Sequence, residues 1–244
     1  MRSLVIIPTY NEAENIKPIV TEILSLTPED LHILIADDRS PDGTGALADQ
    51  LSAQNSRVHV LHREKKEGLG RAYIAGFRWG LSKGYDVLIE MDADFSHNPK
   101  YLKDMLEALK THDVAIGSRY VPGGGTVHWG LGRKILSRGG SFYARMILGA
   151  PIRDFTGGFN GWHREVLESL GLESLESDGY SFQIELKFRA FRLGFRIKEF
   201  PIIFEDRQVG QSKMNKKIVI EALMKIWRFR MGASQIQPRV LPRS

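Results

Sequence analysis

Asp92 and Asp94 stand one residue apart in EMDADFSHNP (90–99), directly after the apolar run Val87-Leu88-Ile89. Two carboxylates at the end of a buried strand are costly without a positive partner. Hard oxygens at this spacing suit Mg2+ or Mn2+, which keep part of their water and bind substrate phosphates. D-x-D alone is equally a turn, so the chemistry depends on what gathers around it. Two more polar stretches follow apolar runs. In PTYNEAEN (8–15), Pro8 cannot donate to a ladder and is expected to stop the strand, and Asn11 is a candidate helix cap. Tyr10 has no structural task there and could stack on a base or sugar. In ADDRSPDGTG (36–45), Asp42-Gly43 signals a turn and Ser40 or Asp42 could cap the next helix. Turn chemistry does not require both Asp37 and Asp38, and an acid at this place can accept hydrogen bonds from a nucleobase or ribose.

The elements that must position these groups alternate. Strands are expected at 4–7, 31–36, 58–61, 87–91 and 114–117, each rich in Val, Ile and Leu. Amphipathic stretches lie between them; in 101–110, Leu102, Met105, Leu106 and Leu109 recur at i, i+3, i+4 and i+7. Such alternation predicts right-handed βαβ units and a mostly parallel sheet, whose ligands bind beyond the carboxyl ends of the strands. After Gly117 a glycine-rich loop, VPGGGTVHWGLG (121–132), leads into a basic amphipathic stretch at 133–148. The segment 181–193 is apolar nearly all round and is expected to be buried, so its Gln183 and Glu185 need partners. A strand is expected at 195–204, a last helix at 216–231, and a linker-like tail at 232–244.

Composition narrows the classes. With 244 residues and 42% hydrophobic content the chain can bury a large core, and no boundary divides it. The absence of cysteine excludes disulfides and thiolate metal sites, and fits a reducing cytoplasm. No apolar run reaches bilayer length and the chain opens on a strand-like LVII, so neither a signal peptide nor an integral anchor is expected. The net charge of +5 favours anionic partners. That charge is unevenly placed: from Arg119 to Arg153 there are six Arg or Lys, one His and no acid.

Six stretches in order, PTYNE, DDRSPDGT, MDAD, GSRYVPGG, GYSFQIEL and DRQVGQSKM, resemble glycosyltransferase family 2, and within it the polyprenol-phosphate (dolichol-phosphate) mannosyltransferases. The likeness spans residues 1–231. It implies an α/β GT-A fold in one domain, 1–117 holding the nucleotide sugar and 118–231 the acceptor. It also implies GDP-mannose as donor, Mg2+ or Mn2+ as cofactor and a polyprenyl phosphate as acceptor. Carried over by position, Pro8, Tyr10 and Glu12 surround the donor nucleoside, with Ala36 and Asp38 beside the base. Asp92, Ala93 and Asp94 face the sugar nucleotide, with Asp92 and Asp94 on the metal. Arg119 meets a phosphate, Arg133 and Lys134 approach the acceptor phosphate, and Arg207 and Lys213 clamp the diphosphate. One departure concerns position 96, a further metal ligand as glutamine in some relatives and here Ser96; water or His97 could fill in, although His97 reads equally as an ordinary supporting histidine.

The reaction so implied is attack of a phosphate oxygen on the anomeric carbon, with inversion. A phosphate monoester has a second pKa near about 6, so the nucleophile arrives charged and needs no Ser-His-Asp relay. A lipid acceptor requires a membrane surface. The stretches 133–148 and 216–231 both mix basic and apolar residues as interfacial helices do. Peripheral contact with a cytoplasmic membrane face, alone or through a separate anchoring subunit, is therefore expected. A family 2 enzyme using UDP-glucose or another nucleotide sugar is the nearest alternative. A nucleic-acid module leaves the strand-end acids unexplained and lacks a recognisable motif, so no nucleic-acid partner is expected. A dinucleotide-binding protein needs G-x-G-x-x-G after the first strand, and a sugar nucleotidyltransferase needs a glycine-rich phosphate loop there; PTYNE takes that place.

Overall fold

The computed structural model describes residues 1–175, 177, 179–205 and 216–232. The expected clamp residues Arg207 and Lys213, and the tail from 233 onward, lie outside the described residues. Five apolar runs form the parallel strands β1 (Ser3–Thr9), β2 (Leu31–Asp37), β3 (Val58–His62), β4 (Val87–Glu90) and β5 (Val114–Ser118). The intervening helices are α1 (Ala13–Leu26), α2 (Thr44–Gln54), α3 (Leu69–Ser82) and α4 (Leu102–Leu109). Beyond β5 come β6 (Gly125–Val127), α5 (Leu131–Leu148), β7 (Asn160–His163), α6 (Arg164–Ser169), α7 (Gly179–Arg192), β8 (Ile197–Pro201), β9 (Ile203–Glu205) and α8 (Lys216–Gly232). The main sheet runs β3-β2-β1-β4-β7-β5-β8, and β6 pairs with β9 in a small second sheet. This is the α/β GT-A plan, with a mostly parallel sheet between helices.

Two local expectations are corrected, and one strand is not among those expected. β1 does not stop at Pro8; it continues to Thr9, with Pro8 opposite Ala36. The ladder to β4 has already ended at Ile6–Glu90, so the proline's missing N–H falls on a side where no acceptor is waiting. The expected strand at 195–204 is two strands: the chain turns after Pro201, leaving β8 in the main sheet and β9 on β6. Finally, β7 inserts antiparallel between β4 and β5. Its sequence, NGWH, carries no apolar run. It is selected by packing, because a Cβ on Gly161 would lie 2.8 Å from both Leu109 Cδ1 and Met105 Sδ of α4.

Each face of the sheet has its own core. On one, Leu102, Met105 and Leu109 of α4 join Ile16, Ile19 and Ile23 of α1, as their spacing predicts. On the other, Tyr73, Phe77, Phe155, Trp162, Phe182 and Phe188 fill the space between α3, α7 and the sheet. α5 departs from that rule. It turns Ser141, Ala144 and Leu148 inward, while Leu131 (73% exposed), Ile135, Phe142 and Met146 face out. α8 divides its apolar residues: Ile226 is buried, and Met224, Trp227 and Met231 are exposed.

Candidate active site

β1, β2, β4 and β5 point the same way, so their carboxyl ends deliver PTYNE, DDRSPDGT, MDAD and GSRY to one edge of the sheet. The first two stretches are latched to each other. Asp37 accepts hydrogen bonds from Thr9 Oγ1 (3.0 Å), Ser40 N (3.0 Å) and Ser40 Oγ (2.6 Å). Asp42 accepts from Thr44 N and Oγ1 and from Ala13 N. The start of α1 is thus capped from the β2 loop, with Asn11 N on Ser40 Oγ and Glu12 N on Thr44 Oγ1. Asn11 is not the cap; it lies in the left-handed region at φ 62°. Turn chemistry accounts for Asp37 after all, and of the adjacent pair only Asp38 is left for a ligand. Asp38 is 6% exposed and paired with Arg63. Burial raises its pKa, against the opposing charge of Arg63. An open depression lined by Arg39, His62, Arg63, Glu64 and Lys65 lies alongside.

Tyr10 is 37% exposed, with Lys66 Nζ 3.5 Å above its ring. Glu12 Oε2 accepts from Asn15 Nδ2 at 2.8 Å. Pro8 is half-buried beside the fully buried Ala36. Gly68 stands at the start of α3, and Gly70 packs on Phe182 and the Ser177 carbonyl.

Asp92 and Asp94 follow β4 at the middle of the edge, with Ala93 buried between them. Asp92 Oδ1 lies 3.4 Å from Tyr73 OH, and its backbone N–H donates to His97 Nδ1 at 3.1 Å. His97 is 2% exposed and stacks on Phe159, so it supports the turn from behind. Ser96 donates its N–H (3.1 Å) and its hydroxyl to Asp94 Oδ1. Phe95 takes φ 61°, a strained value for an aromatic residue. Among the described residues no third acid or histidine completes a cage. Two carboxylates of hard oxygen, open on one side, nevertheless fit Mg2+ or Mn2+, ions that take their other ligands from water and phosphate.

A buried polar network that the sequence reading did not assign supports this edge. Glu90 has no exposed surface and accepts from Trp162 Nε1 (2.7 Å), Asn160 Nδ2 and Gln183 Nε2. Burial lifts its pKa to about 7 against those hydrogen bonds. Gln183 has its partners here. Glu185 pairs through Oε1 with Arg189 at 2.6 Å, and its Oε2 has no partner. Lys187, also fully buried, donates to the carbonyls of Asp154 (2.9 Å) and Gly157 (2.7 Å), and burial lowers its pKa to about 8. Asp154 then takes three bonds from Arg119: the backbone N–H at 3.0 Å, Nε at 2.8 Å and Nη2 at 2.7 Å. Burial alone would raise the Asp154 carboxyl, but the Arg119 charge holds it at about 2. Only the packed network could reveal Glu90, Asp154 and Lys187, which are distant in sequence.

Arg119 is therefore a buried, ion-paired residue (5% exposed), with Thr156 Oγ1 on Nη2 at 2.8 Å. Its guanidinium also lies 5.4 Å from the Trp129 ring, and that of Arg133 lies 4.1 Å from the same ring. Trp129 meets Phe204 edge-on at 5.3 Å, and Phe204 meets His97 at 5.3 Å. Ring contacts thus join the D-x-D turn to the two arginines. Lys134 is exposed in the first turn of α5.

The comparisons agree with this geometry. The model of glycosyl transferase family 2 matches residues 4–171. The undecaprenyl-phosphate mannosyltransferase of Micrococcus luteus is 50% identical over 233 residues, 96% of this chain and 96% of that protein. The polyprenol monophosphomannose synthase of Mycolicibacterium smegmatis is 52% identical over 227 residues, covering 92% and 85%. Two solved structures share the fold. Glucosyl-3-phosphoglycerate synthase from Mycobacterium tuberculosis, in complex with Mn2+, UDP-glucose and phosphoglyceric acid, superposes with TM-score 0.67 at 20% identity over 93% of this chain and 79% of that one. A mannosyltransferase from Pyrobaculum calidifontis in complex with GDP-Man and Mn2+ gives TM-score 0.58 at 17% identity, covering 95% and 73%. With its strand-end motifs gathered on one sheet edge and the family match running through most of them, the chain belongs to glycosyl transferase family 2 and is a glycosyltransferase.

Proposed function

We propose that this enzyme transfers mannose from GDP-mannose to a polyprenyl monophosphate, inverting the anomeric centre to give a β-linked polyprenyl-phosphate mannose. The observation that carries the reading is one sheet edge on which ring contacts through His97, Phe204 and Trp129 join a carboxylate pair to two arginines, next to a helix that turns large apolar residues outward. Two anions and a lipid chain fit that combination. The names of the relatives at 50% and 52% identity support the substrates.

In this reading Pro8, Tyr10, Glu12, Ala36 and Asp38 hold the nucleoside, with Tyr10 stacked on it. Asp92 and Asp94 carry Mg2+ or Mn2+, which when bound offsets the charge of the departing diphosphate. Ser96, His97 and Tyr73 keep the two carboxylates in place. Ala93 leaves room for the sugar. Arg207 and Lys213, assigned by resemblance alone, add charge at the diphosphate. On the other side Arg133 and Lys134 bind the acceptor phosphate, and Arg119 adds charge from behind. The acceptor oxygen is already ionised near neutral pH, so the residues orient and neutralise rather than abstract a proton. α5 and α8 lay Leu131, Ile135, Phe142, Met146 and Trp227 into the interface of a cytoplasmic membrane face, with Arg138 and Arg145 toward lipid phosphates. No helix among the described residues is long and apolar enough to cross a membrane.

The test is incubation with a short polyprenyl phosphate, Mg2+ or Mn2+, and labelled GDP-mannose or UDP-glucose. Label should enter the organic phase from GDP-mannose only. Label from UDP-glucose instead would reassign the donor, and label from neither would end the lipid-phosphate reading.

A further inference from the structure

Trp129 ends the glycine-rich loop, and no motif so far gives it a role. It is 7% exposed, and its indole Nε1 is buried with no hydrogen-bond partner. An unpaired buried donor loses its water without gaining a partner, and native structures leave few of them. A phenylalanine would offer the same face to Arg133 (4.1 Å) and Arg119 (5.4 Å), and a similar packing surface to Phe204 (5.3 Å). What tryptophan adds is the N–H. The residue before it, His128, is held at φ 62°, a conformation that costs a non-glycine residue energy and is retained where the surroundings demand it.

The place is suited to an anion. Trp129 lies two residues before α5, whose 18 residues begin at Leu131 after Gly130, which supplies no side-chain cap. The first N–H groups of such a helix, and its dipole, favour negative charge. Two guanidinium groups stand against the same indole. An oxyanion bound there would satisfy this buried, unpaired donor.

We propose that Trp129 Nε1–H donates a hydrogen bond to a non-bridging phosphate oxygen held by Arg133 and Arg119 at the head of α5, orienting the reacting phosphate. This rests on the proposed function, in which both substrates carry phosphate. The shared chemistry is a phosphate oxyanion, and its source is either the acceptor monophosphate or the donor diphosphate.

Proton–nitrogen NMR tests it directly. The four tryptophans give four indole N–H signals, and the one lost in Trp129→Phe is assigned to Trp129. If that variant does not fold, the signal is identified in the wild type by its nuclear Overhauser contact with the Phe204 ring. Citronellyl phosphate should move this signal downfield while citronellol does not, which places the acceptor at Trp129. A shift with GDP and Mg2+ alone places the diphosphate there instead; either shift supports the proposal. A signal unmoved by both overturns it. In transfer assays Trp129→Phe should lower kcat/KM by about tenfold to a hundredfold, the loss expected for a hydrogen bond to a charged group, without lowering the melting temperature. With the acceptor at Trp129 the loss is in kcat/KM for the lipid phosphate and GDP-mannose affinity is unchanged; with the diphosphate there GDP-mannose affinity falls as well. Wild-type kcat/KM in the variant would also overturn it. If the wild type transfers to no lipid phosphate yet the indole signal still responds to citronellyl phosphate, the functional reading fails and the anion site stands.

Discussion

The two sides of the sheet edge solve opposite problems. Around the ends of β1 and β2, polar side chains are bonded to one another. Asp37 and Asp42 each take three hydrogen bonds, two from their own stretch and one from the 8–15 stretch, and so build the rim without facing it. On the other side, between β5 and α5, one charged pair is buried and several large apolar side chains are exposed. Arg119 and Asp154 pair inside, while Leu131, Ile135 and Phe142 face outward. The difference teaches that the number of acids near a site overstates its ligands, and that α5 carries more large apolar residues than the core takes up.

The largest test of this contrast is the buried pair. Asp154→Asn should cost about 3–5 kcal/mol in urea unfolding, because it leaves Arg119 charged and uncompensated in the interior. A loss under 1 kcal/mol would mean that the pair is no more than a surface bridge, worth about 0–1 kcal/mol. Next, Asp94→Asn should reduce transfer about 100-fold or more with an unchanged melting temperature; full activity would remove the metal role from the D-x-D turn. Third comes pH. Asp154 has a folded pKa of about 2, below the ordinary 3.8, so its contribution of about 2 kcal/mol is present above pH 4 and is lost as pH falls toward 2. Urea midpoints of the wild type measured across that window should fall, and a flat profile would contradict the pairing. Tyr10→Ala should weaken GDP-mannose binding by about 1–2 kcal/mol in calorimetry if the ring stacks on the base. The smallest effect is expected from Phe142→Ser, which should weaken binding to acidic liposomes several-fold, about 1 kcal/mol of lost apolar burial, without touching activity on a soluble short-chain acceptor. Equal flotation of both proteins would return α5 to an ordinary surface helix.

The sequence by itself determined a good deal. Runs of Val, Ile and Leu marked β1 to β5 within a residue or two, because buried parallel strands must be apolar on both faces. Because those strands are parallel, the motifs after them had to meet at one edge, and Asp92 with Asp94 stood out by placing two carboxylates where burial is costly. Only the tertiary structure decided the rest. β7 has no pattern of its own and exists because Gly161 lets α4 approach. Asp37 turned out to be a latch, since its partners Thr9, at the end of β1, and Ser40, in the loop after β2, belong to separate stretches. Arg119, Asp154, Lys187 and Glu90 lie up to 97 residues apart in the chain, and a contact between distant residues leaves no local period to read. Trp129 shows the same limit from the other side. Its ring could have been anywhere in a core, and only the packed structure reveals a buried N–H beside two arginines with no partner of its own.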